Sequence, residues 1–243
     1  MTLEILPNYS PNFDTFKRPK KKIKFIILHY TGMKAESLAI KKLCSFNSKV
    51  SCHYFIKNNG RILIIVPNLY EAWHAGISKW KKITSLNKYS IGIEINNPGH
   101  EHGYKSFSSK QIKSLKKLLK YLKKKFNINY KNVLGHSDIA PNRKKDPGEK
   151  FPWKKLANEK LALWHKLSIN KIKFLRNLKV SAKEEKLFLL NLIKIGYSKI
   201  EKNNFKKNKI YLIKAFQRRF RQELINGKID KECLLISKNL IKL

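Results

Sequence analysis

The stretch His136-Ser-Asp-Ile-Ala-Pro-Asn-Arg-Lys-Lys-Asp146-Pro-Gly148 packs an imidazole, ammonium groups and carboxylates into one short segment. Pro141, Pro147 and Gly148 forbid a continuous helix there, so the sequence predicts a loop whose backbone aims His136 and Asp146 at one point. That is a metal-site pattern lacking a third ligand. His29 is the natural candidate, because it ends the apolar run Lys24-Phe-Ile-Ile-Leu-His29, which predicts a buried strand delivering a polar side chain at its C-terminal edge. Two imidazoles and one carboxylate leave a fourth tetrahedral position open to water, the arrangement of a catalytic rather than a structural zinc site. Each residue alone has a plainer reading. A histidine at a strand end is commonly a hydrogen-bonded structural residue, Asp146 before Pro147 is a ready turn initiator, and Asp138 competes as a ligand.

Five motifs occur in order along the chain: His29-Tyr-Thr-Gly-Met, Ser51-Cys-His-Tyr-Phe-Ile followed by Asn59-Gly60, Ala72-Trp-His-Ala-Gly76, Ser90-Ile-Gly-Ile-Glu94, and His136 to Gly148. In that order and spacing the chain resembles the zinc-dependent N-acetylmuramoyl-L-alanine amidases of the AmiD/AmpD type over roughly residues 10 to 155, a joint match far more specific than any one motif. The resemblance implies one Zn2+ per chain on His29, His136 and Asp146, a catalytic carboxylate at Glu94 and a catalytic lysine at Lys144. Asp138 then supports the loop rather than the metal. It also implies a cleft wall at Trp73 and His74, with Tyr54 a candidate hydroxyl near the reaction centre, and peptidoglycan or a muropeptide as substrate.

The chemistry agrees with those roles. Amide hydrolysis needs a nucleophile stronger than neutral water, and zinc supplies one by lowering the pKa of a water to about 7. Glu94 ends an alternating apolar segment, which predicts a strand projecting its carboxylate toward the same cleft edge as His29. There it accepts the water's proton and passes it to the leaving alanine nitrogen. Lys144, two positions before Asp146, sets an ammonium where negative charge develops on the former carbonyl oxygen. The other histidines are assigned otherwise: His53 supports the site or points away, and His100 and His102, flanked by Gly99 and Gly103, lie in a flexible loop open only to adventitious metal.

The elements that position these residues alternate. Strands are expected at 23–29, 51–57, 61–66, 90–95 and 132–136, with helices at 35–46 and 109–126, the second opened by a Ser108/Gln111 capping box. Asn59-Gly60 marks a tight hairpin. The result is an α/β fold, a mixed central sheet flanked by helices. After Phe151-Pro-Trp153 the pattern changes. A helical connector (156–175) is expected to separate a catalytic domain (1–155) from a small all-α, three-helix domain (176–243), with helices at 182–195, 209–222 and from Asp230 to Leu243. Gly196-Tyr197, Ala215-Phe-Gln217 and Gly227-Lys-Ile-Asp230 resemble the peptidoglycan-binding domain that accompanies some of these amidases; a merely stabilising helical cap is the alternative.

Composition limits the remaining classes. At 243 residues and 42% hydrophobic content the chain supports a substantial core. The formal charge of +38, from 54 Lys+Arg against 16 Asp+Glu, invites a polyanion-binding reading. The excess is nearly all lysine and is spread along the whole chain, so no specific nucleic-acid partner is expected, and Lys20–Lys24 and Lys116–Lys125 read first as solvated faces. No apolar stretch is long enough to span a bilayer. Met1 to Tyr9 lacks the basic-then-apolar pattern of a secretory signal, which gives a cytoplasmic expectation; a wall-binding tail would favour the envelope. Cys44, Cys52 and Cys233 are odd in number and scattered, as reduced thiols are. A non-catalytic peptidoglycan receptor on the same scaffold is the other alternative, although such a module has no need of all four of His29, His136, Asp146 and Glu94. On oligomeric state the sequence is silent.

Overall fold

The computed structural model describes residues 3–200 and 203–243; the first two residues of the Met1–Tyr9 stretch lie outside that range. In chain order the strands are β1 (Ile5–Pro7), β2 (Phe13–Asp14), β3 (Phe25–Tyr30), β4 (Tyr54–Ile56), β5 (Ile62–Ile64), β6 (Glu71–Ala72), β7 (Lys79–Trp80), β8 (Ile83–Thr84), β9 (Ser90–Ile95) and β10 (Val133–Gly135). The helices are α1 (Glu36–Cys44), α2 (Ser109–Phe126), α3 (His136–Ile139), α4 (Trp153–Ala157), α5 (Ile169–Ile172), α6 (Ala182–Ile195), α7 (Phe205–Phe220) and α8 (Lys231–Leu240).

Six strands form one mixed sheet in the order β1-β5-β4-β9-β3-β10, parallel throughout except where β4 and β5 run antiparallel. That antiparallel pair is the hairpin expected at Asn59-Gly60. Lys57 N–H donates to Arg61 O, Gly60 N–H donates to Lys57 O, and Gly60 takes a φ of +86°, a conformation open to glycine without strain. Buried strands β3 and β9 are almost continuously apolar, as strands covered on both faces must be. Ala39 and Leu43 of α1 share a core cluster with Phe55, Leu63 and Ile65. Tyr54, Ile56, Ile93 and the α2 residues Ile112, Leu115, Leu119 and Leu122 belong to the other cluster, so the two helices cover opposite faces. Each buried leucine there contributes about 1.5–3 kcal/mol.

α2 matches its expected span because every local signal agrees. Gln111 N–H donates to Ser108 Oγ, Ser108 N–H donates to Gln111 Oε1, and the apolar positions recur at helical spacing. β9 and α6 also match their expected spans, and α7 begins before its expected start; the remaining elements are shorter than expected or shifted by a few residues at their ends, and the strand expected over 51–57 pairs only from Tyr54 to Ile56. Two expectations are corrected. The loop expected throughout 136–148 begins with a helical turn, α3, which stops at Ala140 because Pro141 disfavours helical backbone in the residue before it. The expected helical connector is helical only at its two ends, in the end of α4 and from α5 to Leu175, with turns and irregular chain between. Leu161 to His165 are five consecutive buried residues, which a helix with one solvent face cannot accommodate.

The three helices expected after residue 176 are present as α6, α7 and α8. Ser181 and Glu184 form a capping box on α6 and Asp230 caps α8 through the Cys233 N–H. They share one continuous core with the sheet, joined by Trp80, Trp153, Tyr197, Phe216 and Phe220. All three cysteines are free. Among the described residues no helix is long and apolar enough to cross a membrane.

Candidate active site

Parallel register aligns the reactive side chains before any of them touch. Glu94 on β9 stands opposite His29 on β3, and Gly135 on β10 stands opposite Leu28, so the next residue, His136, comes level with His29. Glu94, His29 and His136 therefore end three adjacent strands in a row, at the carboxyl edge where open α/β sheets bind ligands. Asp146 arrives from the loop, fixed by Ser137 N–H donating to its carbonyl oxygen at 2.9 Å. Gly135 must be glycine, since a Cβ there would lie 2.8 Å from Pro147 Cδ, the ring beside Asp146.

His29 Nδ1 lies 2.9 Å from His136 Nδ1 and 2.9 Å from Asp146 Oδ2, and His136 Nδ1 lies 3.1 Å from the same oxygen. All three residues are buried, and among the described residues they are the one convergent group of three His, Cys, Asp or Glu ligand atoms. Their outer partners decide what those atoms carry. His136 Nε2–H donates to Ala75 O at 3.1 Å, which leaves Nδ1 as a lone pair. Ser90 Oγ–H donates to Leu86 O at 2.6 Å, so Oγ accepts from His74 Nε2–H at 3.2 Å. His74 Nδ1 is then an acceptor for His29 Nε2–H at 3.0 Å, and His29 Nδ1 is likewise bare. Two imidazole lone pairs and a carboxylate turned on one another repel unless a cation sits among them. The donor set fits a divalent metal ion, with each histidine oriented from behind as metal-binding histidines are.

The electrostatics point the same way. Burial, then the neighbouring His136, lowers His29 to about 4, so it is neutral and ligand-ready at physiological pH. Burial alone would raise Asp146, but while no cation is bound the imidazoles of His136 and then His29, 3.1 and 2.9 Å from its Oδ2, share protons with it, outweigh burial and hold this carboxyl well below the usual range. Glu94 goes the other way: burial, then the negative charge of Asp146, pushes its carboxyl up to about 8, against the pull of Lys144 and Lys42. Its Oε2 is shut off from solvent without a hydrogen-bond partner among the described residues. Glu94, Lys144, Trp73 and the three convergent residues line one cavity of about 360 Å3.

The other sequence candidates separate. Trp73 lines the cavity, with its indole N–H on Asp14. His74 also borders it, but both ring nitrogens are committed, to His29 and Ser90, so it supports a ligand rather than offering itself to substrate. Tyr54 is not at the site. Its register with Ile93 puts it on the sheet face opposite Glu94, where it is 1% exposed in the core. His53 accepts the Gly92 N–H on Nδ1 and donates from Nε2 to Tyr70 O, bracing β9. His100 bridges the Tyr30 hydroxyl and Glu149. Asp138 accepts from Gly135 N–H, Tyr197 and Arg219 and makes no approach to the three convergent atoms.

Sequence reasoning missed Arg143, which donates to Ala75 O and to Ile77 O at 2.7 Å and ties the 136–148 loop to the Ala72–Gly76 motif. No spacing signal marks it. Ser90 and Gly92 were missed as well, although their signal was present: with Glu94 they alternate at period two, so all three face the site. Gly92 makes room for His74, whose ring would lie 2.4 Å from a Cβ there.

Two buried imidazoles and an ionised aspartate beside a proton-binding glutamate, at the carboxyl edge of a mixed sheet, are the arrangement that a metal-dependent hydrolase requires. Residues 19–149 match the family described as N-acetylmuramoyl-L-alanine amidase, and the chain belongs to that family. AmiD of Escherichia coli strain K12 is 34% identical over 236 residues, covering 91% of this chain and 83% of AmiD. The solved complex of E. coli AmiD with anhydro-N-acetylmuramic acid-L-Ala-D-γ-Glu-L-Lys superposes with a TM-score of 0.79 at 33% identity, over 94% of this chain and 91% of that one. AmpDh3 from Pseudomonas aeruginosa gives 0.77 at 30% identity over 96% of each chain. The mixed sheet flanked by helices is the fold of these amidases, and the chain is an amidase.

Proposed function

We propose that this chain hydrolyses the amide between N-acetylmuramic acid and L-alanine in peptidoglycan or its fragments, with zinc held by His29, His136 and Asp146. The observation that carries this is the convergence of those three donor atoms within 3.1 Å of one another beside the unpartnered Glu94 Oε2. Zinc bound there would supply an acidified water and a Lewis acid for the scissile carbonyl.

The chain's own groups do the rest. Glu94, with a carboxyl that binds its proton near neutral pH, takes the proton of the attacking water and returns it to the alanine nitrogen as the C–N bond breaks. Lys144 projects into the same cavity from the turn closed by its own N–H on Ala140 O, and its ammonium meets the negative charge that develops on the carbonyl oxygen. The muropeptide in the AmiD complex supports fragments of this kind as substrate.

The test is metal analysis of the purified protein, with muropeptide digestion before and after chelation and after zinc is restored. The expected result is near-stoichiometric zinc and cleavage that chelation abolishes and zinc recovers. Zinc-free active protein, or cleavage indifferent to the chelator, refutes the reading.

A further inference from the structure

His29 is braced from behind by His74; behind His136, Nε2 meets only the Ala75 carbonyl, with the Arg143 guanidinium 3.3 Å away, and neither holds the backbone that carries the ring. Its position depends on the backbone of β10 and α3, and the groups that hold that backbone come from the far end of the chain. Asp138, 1% exposed, sits two residues after His136 and accepts the Gly135 N–H at 2.8 Å. Tyr197, just after α6, donates its hydroxyl to Asp138 Oδ1 at 2.7 Å. Arg219 on α7 is 2% exposed; its Nη1 donates to Asp138 Oδ2, and its Nη2 to Val133 O at 3.0 Å.

One guanidinium thus grips both sides of the ligand, at residue 133 on the strand before His136 and at residue 138 on the turn after it. Its Cζ lies over the Trp153 ring, 4.1 Å from the ring centroid, a contact that restrains its orientation. The same helix reaches the other end of the loop. Arg218 lies 3.8 Å from Glu149, and Gln222, just beyond α7, donates to Phe151 O at 2.7 Å. Gly196 closes the contact by packing where a Cβ would fall 2.4 Å from Trp80.

We propose that Arg219, acting through Asp138 and Val133, is a positioning residue for His136, so that the C-terminal helices are part of the metal site rather than a separable attachment to it. This rests on the zinc reading above. Its physical content is that His136 binds metal well only while its turn is held within a few tenths of an ångström, and an Arg–carboxylate contact reinforced by a backbone acceptor supplies that rigidity.

The experiment measures zinc affinity of the full chain by competition with a chromogenic chelator, alongside the melting temperature of the metal-free protein, for Arg219→Met, Tyr197→Phe and the pair Asp138→Asn/Arg219→Met. Removing Arg219 alone leaves a buried carboxylate uncompensated, while the pair removes both charges and recovers much of the stability. We expect the zinc dissociation constant to rise about 10–100-fold in Arg219→Met, less in Tyr197→Phe, and to stay raised in the pair although its melting temperature returns toward wild type. If Arg219→Met does not fold, the pair carries the test. A pair that regains wild-type zinc affinity together with its stability, or an Arg219→Met within twofold of wild type, overturns the inference. A wild-type chain that binds no zinc overturns the earlier reading instead, so the two failures are distinct.

Discussion

Replacing Gly92 by alanine adds a single methyl group, and the structure says where it goes. The backbone of Gly92 lies in β9 without a positive φ, so alanine is conformationally acceptable there; losing a strand glycine even favours folding by roughly 0.5–1 kcal/mol. The added Cβ, however, would lie 2.4 Å from His74 Cγ and 2.6 Å from its Nδ1 and Cδ2. Ordinary contact needs about 3.5–4.0 Å, so the imidazole must retreat by roughly 1 Å or more. His74 Nδ1 is now 3.0 Å from His29 Nε2, and a retreat of that size ends the hydrogen bond.

His29 then loses what fixes its tautomer, and a proton can settle on the Nδ1 that should face the metal. Loss of such a partner costs about 10–100-fold in metal affinity. That is about 1.4–2.8 kcal/mol at 1.4 kcal/mol per tenfold. Overpacking adds a stability cost of about 1–3 kcal/mol, partly offset by the glycine term. The assay is chelator competition for zinc, with thermal melting of the metal-free protein, on Gly92→Ala, His74→Ala and the double variant. In the double variant the clash is gone, so stability exceeds that of Gly92→Ala while zinc affinity equals that of His74→Ala, a strongly non-additive cycle. Wild-type affinity in Gly92→Ala, or the same loss from Gly92→Ala whether or not His74 is present, refutes the reasoning.

Two further outcomes follow from the carboxyl and the lysine. The folded state raises Glu94 from 4.5 to about 8, so its protonated form contributes stability that is full below about 4.5 and is lost as pH rises through about 8. Metal-free Glu94→Gln, which cannot ionise, should melt with wild type near pH 4 and increasingly above it from there to about pH 8; a difference constant across that range contradicts the burial argument. Lys144→Ala should keep its zinc and lose about 10²–10³-fold in kcat, the worth of about 2.7–4 kcal/mol for one charge-stabilising donor. Near wild-type turnover on a defined muropeptide removes that role.

The sequence was informative where local and global signals coincide. α2 declared itself through Ser108, Gln111 and its leucine spacing, because a cap and a period together leave no second register, and the end of α6 through the stop at Gly196. His29, His136 and Asp146 were legible because two of them are delivered by strand ends and the third by a proline-bounded loop. Tyr54 failed as a site residue since facing depends on pairing register, and one step in register exchanges the faces of a sheet. Arg143 and Arg219 had no signal. Their partners are the carbonyls of Ala75, Ile77 and Val133 and the carboxylate of Asp138, distant in sequence and chosen only when the chain closes on itself. His74 lay between, visible as a polar residue in a small-residue motif but assignable to neither substrate nor support until Ser90 was seen to fill its second nitrogen.

The two carboxyls of the site show why burial alone does not set a catalytic role. Both belong to one cavity and both are pushed upward by desolvation, yet Asp146 stays ionised and Glu94 holds its proton to about 8. What separates them is placement. Asp146 is inserted between two imidazoles that share protons with it while no cation is bound, so its negative charge is answered at close range; Glu94 stands one strand away, its Oε2 without a partner and the charge of Asp146 acting against it. Environments that drive two acids apart in this way suit them to different work, and on the proposed mechanism the low one would hold the cation and the high one carry the proton. Exchanging the roles would require moving a strand, not a side chain, because Glu94 is fixed opposite His29 by the pairing of β9 with β3.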